Sequence, residues 1–258
     1  MNSKISVPRE DAIEANIYVH SSIVDQYENE PHFRPENQKK VSNRLAELMD
    51  ELPGKSRSRF LDFGCGTGFI INLVKDSFDR VDGIDVTQAM LDRIDTSSGN
   101  IYLHRGPAES TPFEDSLFDM ASAYSFMDHL VDYKELLLEG YRVLKPGGIF
   151  YIDLNPNRKY WLALEQLDKQ QEELHPFVME EVYAAIHNDD RVSEQYNIDK
   201  SKLVMAEPAK TQALGFDADE VLSIAREIGY SNVNAHYHWF LAQAKVMHQQ
   251  SFEAANHI

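Results

Sequence analysis

The chain has 258 residues, with 42 Asp and Glu against 25 Lys and Arg, so its formal net charge is −17. This acidic balance argues against binding of nucleic acid, which needs clustered basic side chains. The single cysteine cannot form an internal disulfide, no apolar run reaches the roughly 18 residues of a membrane span, and no signal peptide is evident, so a cytoplasmic protein is expected.

Residues 1–53 are predicted to be helical, in two pieces over Ala12–Tyr27 and Pro35–Leu52. Two prolines bracket the connector between them, and proline disfavours helix on its N-terminal side. The connector carries aromatic and charged side chains. It is therefore either a surface loop or a lid over a bound ligand.

A glycine turn follows the first predicted strand, Phe60–Phe63. Gly64, Gly66 and Gly68 are spaced G-x-G-x-G, and an apolar helix pattern starts at Phe69. A strand, a tight turn and a helix N-terminus form a binding site for an anionic group, because glycine allows close approach to the backbone. The alternative is a glycine turn with a purely structural role.

Asp85 ends the second predicted strand, at a distance from the glycine turn that suits recognition of a ribose hydroxyl pair. A dinucleotide fingerprint would require a glycine at position 69, which is Phe69 here. The spacing therefore disfavours an NAD-dependent dehydrogenase.

Further strands and helices alternate along the chain. The predicted elements are a helix over Thr87–Ile94, strands over Ile101–His104 and Met120–Ser125, a helix over Lys134–Leu144 ended by Lys145–Gly148, and a strand over Ile149–Leu154. Such alternation predicts an α/β fold with a Rossmann-like, doubly wound and mostly parallel sheet.

Beyond Asn155 the alternation stops. Residues 157–207 are predicted to be a helical insertion after the fifth strand, and its apolar stripes fit either packing on the sheet edge or a cap above the carboxyl ends of the strands, or both. Residues 208–258 are predicted to complete the sheet, with a helix from Asp217 to Gly229 and a closing pair of strands over Ser231–Trp239 and Phe240–Val246. His236 and His238 share a strand face, but no third metal ligand is identified, so no metal site is predicted.

Five motifs between Phe60 and Asn155 carry a family resemblance: LDFGCGTG, GIDVTQAML, GPAESTPFEDSLFD, SAYSFMDHL and YRVLKPGGIFYIDLN. In this order and spacing the region resembles the class I S-adenosylmethionine-dependent methyltransferases, in the ubiquinone-biosynthesis-type (type 11) branch. The resemblance implies that residues 54–156 bind S-adenosylmethionine and that the closing strand pair is antiparallel. It says almost nothing about the methyl acceptor.

The resemblance also implies the roles of individual residues. Candidates for binding the cofactor in this core are Asp62, Gly64, Cys65 and Gly66 at the methionine end, Asp85 at the ribose, Val86 and Met90 around the adenine, Ala108 and Glu109 at the adenine edge, and Ser125 at the far wall. Met90 is equally well explained as a core residue. Pro107 departs from the pattern, because the family often has an Asp there that receives the adenine amino group.

A lid formed by residues 1–53 would complete this site. Arg34 would pair with the cofactor carboxylate, and Tyr27 would face the sulfonium by cation–π attraction. His129, which follows the fourth strand, is the candidate general base, although a histidine there also fits a structural role.

The sequence therefore predicts a methyltransferase that acts on a small molecule held under a helical cap. Methylation of tRNA or protein, and non-catalytic binding of S-adenosylmethionine, are the alternatives. The acceptor atom is undetermined, and the periodicity leaves both a monomer and a dimer open.

Overall fold

The protein is represented by a computed structural model that describes residues 5–29, 33–169 and 188–237, together with Pro176, Met179, Val182 and Tyr183. Five strands form one sheet in the order β3-β2-β1-β4-β5. Their bounds are β1 Arg59–Phe63, β2 Arg80–Asp85, β3 Ile101–Arg105, β4 Phe118–Tyr124 and β5 Leu144–Asp153. Every pairing between neighbouring strands is parallel. The predicted doubly wound α/β sheet is thereby confirmed.

The described helices flank this sheet or cover its carboxyl edge. Their bounds are α1 Arg9–Ile23, α2 Pro35–Glu51, α3 Phe69–Val74, α4 Gln88–Leu91, α5 Tyr133–Val143, α6 Arg158–Asp168, α7 Asn188–Tyr196, α8 Lys200–Ala206, α9 Pro208–Thr211 and α10 Ala218–Ile228. Asp217 caps α10 as predicted, because its carboxylate accepts a hydrogen bond from the Asp219 amide. Among the described residues, every helix is too short or too polar to cross a lipid bilayer.

Two hydrophobic clusters lie on opposite faces of the sheet. One contains Val41 and Leu45 of α2 with Ile70 of α3, and the other contains Leu136 and Val143 of α5. All seven residues of β4 are buried, as expected for a central strand covered on both faces. This packing holds the carboxyl ends of β1, β2 and β4 at one edge.

A third cluster joins two segments that are far apart in the sequence. Ala15 and Val19 of α1 pack against Leu203 and Ala206 of α8, with Ile198 between the two helices. The N-terminal segment and the segment predicted as a cap therefore share one apolar core. The division of the chain into four segments stays a prediction.

The predicted closing pair of strands is wrong where the structure describes it. Residues 231–237 contain no strand, and the described sheet is parallel throughout. Val233, Ala235 and Tyr237 alternate as in a strand, but Asn232 and Asn234 are residue types that strands disfavour. Trp239 and Phe240–Val246 lie outside the described residues.

The boundary between α5 and β5 also differs from the prediction. Lys145, Pro146, Gly147 and Gly148 lie within the bounds of β5, but its register with β4 shifts across them, from Phe118 opposite Leu144 to Met120 opposite Ile149. The shift lets β5 begin directly where α5 ends.

Candidate functional site

The glycine turn connects the carboxyl end of β1 to α3. Gly64, Gly66 and Gly68 all have positive φ, at 63°, 51° and 87°. The turn is closed by a hydrogen bond of 2.8 Å from the Gly68 amide to the Cys65 carbonyl, and the Cys65 amide donates to Ile84 of β2 over 3.1 Å. The three glycines are thus required by backbone conformation, since other residues are strained there.

Asp85 lies at the end of β2, directly beside this turn. One of its carboxylate oxygens accepts from the Gly66 amide at 3.0 Å, and the other accepts from the Thr87 amide at 2.8 Å. Burial raises the pKa of Asp85, and the two backbone hydrogen bonds oppose that rise. An ionised carboxylate accepts about four hydrogen bonds, so Asp85 retains acceptor capacity for a ligand.

A small cavity of about 30 Å³ lies between α1 and the carboxyl ends of the strands. Its lining includes six of the residues predicted from the sequence, which are Gly64, Asp85, Val86, Ala108, Glu109 and His129. Helix α1 covers the cavity with Arg9, Ala12, Ile13 and Asn16. The sequence-distant candidates therefore meet in one place.

Three ion pairs connect the covering segment to the core. Arg9 of α1 lies 3.4 Å from the Glu109 carboxylate and 3.3 Å from that of Glu135. Asp25, in the short helical turn Val24–Asn29 after α1, pairs with Arg93 beyond α4. The cavity is thus closed at both ends of α1.

Phe126 also lines this cavity, and the sequence analysis did not single it out. A β-carbon added at Gly64 would come within 2.0 Å of the Phe126 ring, so the ring lies directly on the glycine backbone. Arg9 and Asn16 were missed as well. The α1 residues that line the cavity are spaced i, i+3, i+4 and i+7, so they share one helix face. This spacing could have predicted Arg9 and Asn16 from the sequence.

Asp62 is almost completely buried in β1 and accepts a hydrogen bond of 2.5 Å from the Ser122 hydroxyl. Burial raises the pKa of Asp62 to about 7, although the Ser122 hydrogen bond lowers it. This carboxyl is therefore poised to change charge near neutral pH.

Cys65 and Met90 point into the apolar core. The Cys65 sulfur lies 2.9 Å from the position that a β-carbon of Gly83 would take, and burial raises the pKa of its thiol. Met90 is 1% exposed. The core interpretation of Met90 is consistent with this burial, and Cys65 reaches the site through its backbone.

Ser125 and Tyr27 lie at the margins of the turn. Ser125 has a positive φ of 50°, and its amide donates to Asp153 over 2.9 Å. The ring of Tyr27 packs edge-on against those of His20 and Phe33, and one of its carbons lies 3.9 Å from a β-carbon built at Gly66. Tyr27 therefore approaches the glycine turn, as the lid interpretation requires.

Arg34 lies just before α2 and does not line the cavity below α1. It lines a separate cleft of about 2070 Å³ along β5, together with Asn29 and Asn155. Arg34 is therefore not among the residues that line the cavity below α1, and its pairing with the cofactor carboxylate stays a prediction.

His129 belongs to a helical turn, Met127–His129, that follows β4. Its Nδ1 lies 2.9 Å from the Ala206 carbonyl, which can only accept, so Nδ1 carries the proton. The neutral ring consequently presents Nε2 as a hydrogen-bond acceptor.

No group of three or more possible ligands arranged to hold a metal occurs among the described residues. His236 is described, whereas His238 lies outside the described residues.

The part of the chain that contains the glycine turn and Asp85 is similar to known methyltransferases. Residues 61–152 match the family described as "Methyltransferase domain". The demethylmenaquinone methyltransferase of Staphylococcus saprophyticus is 38% identical over 108 residues, which are 40% of this chain and 46% of that protein. The malonyl-[acyl-carrier protein] O-methyltransferase of Serratia marcescens is 30% identical over 112 residues, 43% of each chain.

One solved structure matches most of the chain. An S-adenosylmethionine-dependent methyltransferase from Thermotoga maritima covers 84% of this chain and is itself covered over 81%, with a TM-score of 0.52 and 20% identity. That likeness concerns the fold. The chain spans less than half the length of the two curated relatives named above, at 46% and 43%.

Residues 61–152 therefore match a methyltransferase domain, and S-adenosylmethionine is the cofactor that this match implies. The residues present fit that cofactor. Asp85 has unused acceptor capacity, the glycine turn allows close approach, and the buried hydroxyl of Thr67 has no hydrogen-bonding partner among the described residues.

Proposed function

We propose that this protein transfers the methyl group of S-adenosylmethionine to a small-molecule acceptor held beneath a helical cap. The observation that carries the proposal is that Gly64 of the glycine turn, Asp85 and His129 lie around one cavity under α1, whose volume of about 30 Å³ means that the site has to widen to admit the cofactor. The relative named as a demethylmenaquinone methyltransferase supports a small acceptor, and the net charge of −17 argues against a nucleic acid.

The cofactor would be held mainly by the ends of β1 and β2. Asp85 would accept hydrogen bonds from the ribose hydroxyls, and the backbone of Gly64 and Gly66 would contact the methionine end, with Asp62 beneath it. Val86 and Ala108, which line the same cavity, would lie along the adenine. Glu109 would help to hold the adenine edge from its ion pair with Arg9, because Pro107 has no side-chain acceptor.

The bound sulfonium supplies an activated methyl group. The chain then has to align the acceptor and exclude water, which accounts for large rate factors without covalent chemistry. Helix α1, packed on α8, would exclude water from above. Tyr27 would face the positive charge from the side.

His129 would act on the proton that the acceptor loses. Its Nδ1 proton is held by the Ala206 carbonyl, so Nε2 is the atom that accepts a proton from the acceptor hydroxyl or amine. General bases of this kind contribute about 10²–10⁴-fold.

Calorimetric titration with S-adenosylmethionine and S-adenosylhomocysteine, with NAD as the control ligand, tests the proposal. Both should bind to protein freed of carried-over ligand, and NAD should not. Asp85→Asn should weaken their binding by about 10- to 100-fold, since it removes hydrogen bonds to a charged acceptor.

Asp92→Asn is the matched control, because Asp92 is an exposed acid just beyond α4 whose carboxylate accepts a hydrogen bond from Gln88. Its affinity for both ligands should equal that of the wild type. Failure of both ligands to bind, or equal binding of NAD, would overturn the proposal.

A further inference from the structure

A second histidine lies against His129. His20 is on α1, one turn beyond Asn16 on the face that covers the cavity. The centroids of the two imidazole rings are 5.0 Å apart, and the rings meet edge to face at 81°. Residues from α1 and from the end of β4 thus form one polar pair.

The two rings share the same tautomer. Nδ1 of His20 lies 3.1 Å from the Asn16 carbonyl, as Nδ1 of His129 lies 2.9 Å from the Ala206 carbonyl. Carbonyl oxygens only accept, so both Nδ1 atoms are donors and both Nε2 atoms are acceptors in the neutral rings. Among the described residues, neither Nε2 atom has a hydrogen-bonding partner.

His20 is held in the neutral form. Burial and the neighbouring His129 lower the pKa of His20 to about 4. The carboxylate of Glu207 opposes this shift, as does the hydrogen bond to Asn16. His20 therefore keeps a free lone pair throughout the physiological pH range.

Two carboxyl groups lie near the histidines. Burial raises the pKa of Asp128, and its Oδ1 is buried with no hydrogen-bonding partner among the described residues. Glu207 contacts Lys210 at 2.5 Å, and Lys210 lies 3.9 Å from Asp189 as well. The unused hydrogen-bonding atoms of the two rings are therefore their Nε2 acceptors.

An acceptor atom that no protein donor reaches is available to a ligand that brings a donor. A carboxylate, in contrast, would place further lone pairs against the existing ones.

We infer that the methyl acceptor binds through a hydrogen-bond-donating group, a hydroxyl or an amine, that His20 and His129 recognise together, and that free carboxylates are excluded as acceptors. This inference rests on the proposed function and deepens it. His20 becomes a specificity-determining residue on α1, far in sequence from the methyltransferase core.

Nitrogen-15 NMR of histidine-labelled protein tests the tautomers without an assay of activity. The variants His20→Gln and His129→Gln assign the two rings. Both should show the Nδ1–H tautomer at neutral pH, and His20 should stay neutral down to about pH 5. An Nε2–H tautomer at either ring would overturn the inference.

The same spectra, recorded with S-adenosylhomocysteine present, report on ligand class. Phenethylamine and benzyl alcohol should shift the Nε2 resonances, and benzoate should not. His20→Phe keeps a ring but removes the lone pair, so phenethylamine should bind about three- to tenfold more weakly. Tyr18→Phe, on the exposed face of the same helix, is the control and should bind it like the wild type.

Benzoate shifts as large as those of the amine, or no shift with either donor, would overturn the inference. The calorimetric titration separates this failure from failure of the proposed function. If the NMR results contradict the inference but the cofactor still binds, the proposed methyltransferase function is unaffected. If the tautomers and amine binding are as expected but the cofactor does not bind, the proposed function fails and the histidine pair remains as a binding site for amines.

Discussion

The ring of Phe126 lies on the backbone of Gly64, leaving no room for a side chain there. A β-carbon would be 2.0 Å from Phe126 Cδ2, and the φ of Gly64 is 63°. Two separate physical reasons therefore require glycine at the start of the turn.

Gly64→Ala should destabilise the protein for both reasons. The left-handed conformation costs about 1–2 kcal/mol for a residue with a β-carbon, and forced overpacking costs about 1–3 kcal/mol more. The midpoint of urea unfolding measures the sum.

Gly54→Ala is the matched control, because Gly54 has a φ of 60° but nothing within 4 Å of its β-carbon position. Gly54→Ala should therefore lower the free energy of unfolding only by the cost of the left-handed conformation. The double variant Gly64→Ala/Phe126→Ala should recover the steric part, so the two substitutions should be non-additive. Equal losses for the two glycine variants would contradict this account.

Asp62 should make stability fall as pH rises. Burial raises its folded pKa to about 7, above the unfolded value of about 3.9. The folded state therefore binds more protons between these values, and stability that is fully present below about pH 3.9 is lost as the pH rises through about 7. Asp62→Asn should flatten this part of the stability profile, measured by urea unfolding from pH 4 to pH 8.

Ser122→Ala offers the opposite change at the same carboxyl. It removes the hydrogen bond that lowers the pKa of Asp62, so the decline should extend to higher pH. Profiles for Asp62→Asn that run parallel to the wild type would show that this carboxyl does not titrate in that range.

Cofactor binding should release protons if Asp62 lies beneath the methionine end. An ammonium group nearby favours the ionised carboxylate, so binding at pH 6 would drive a proton off. Calorimetry in two buffers that differ in ionisation enthalpy measures the number released. Asp62→Asn should release fewer protons, and unchanged release would place the carboxyl away from the amino group.

Asp82 should have the opposite pH dependence. It is completely buried in β2, which acts to raise its pKa, but hydrogen bonds from Arg80, Arg59 and His104 outweigh burial and lower it. Its contribution to stability is therefore present above the unfolded pKa of about 3.9 and lost as the pH falls through the lower folded value.

Asp82→Asn should cost about 2–4 kcal/mol at pH 7, somewhat less than for a fully buried pair because both arginines reach solvent. The cost should shrink as the pH falls below 4. Urea unfolding at pH 7 and at pH 3 measures the loss of stability in this variant. A loss that is the same at both pH values would contradict stabilisation of ionised Asp82 by Arg80, Arg59 and His104.

Arg9→Gln should loosen α1 without unfolding the core. The ion pairs of Arg9 with Glu109 and Glu135 are partly exposed, so their loss should change global stability by less than about 1 kcal/mol. Amide hydrogen exchange in α1 should nevertheless become about two- to fivefold faster, since local opening is governed by such contacts. Arg44→Gln, which breaks an ion pair of 2.9 Å with Glu47 inside α2, is the control and should leave exchange in α1 unchanged.

The core of the site could be predicted because its signals are local. The spacing of Gly64, Gly66 and Gly68 fits their positive φ values, and Asp85 contacts the turn as its place after β2 requires. Parallel strands bring their carboxyl ends to one edge, so a residue at each strand end can be assigned to the site without coordinates.

The covering layer could not be predicted in the same way. Each helix has its own apolar stripe, with Ala15 and Val19 on α1 and Leu203 and Ala206 on α8. The periodicity of a stripe does not show which other stripe it packs against. The predicted strand from Ser231 was wrong over residues 231–237, because an alternating pattern forms a strand only where a neighbouring strand supplies hydrogen-bonding partners, and a local pattern does not show that neighbour.

The sequence by itself determined the parallel sheet, the glycine turn and the acidic residue beside it, because backbone conformation and strand order depend on neighbours along the chain. Only the tertiary structure decided that Phe126 covers Gly64, that α1 and α8 form one layer, and that His20 meets His129. Those contacts join residues far apart in the chain, and they depend on how whole elements pack rather than on any local pattern.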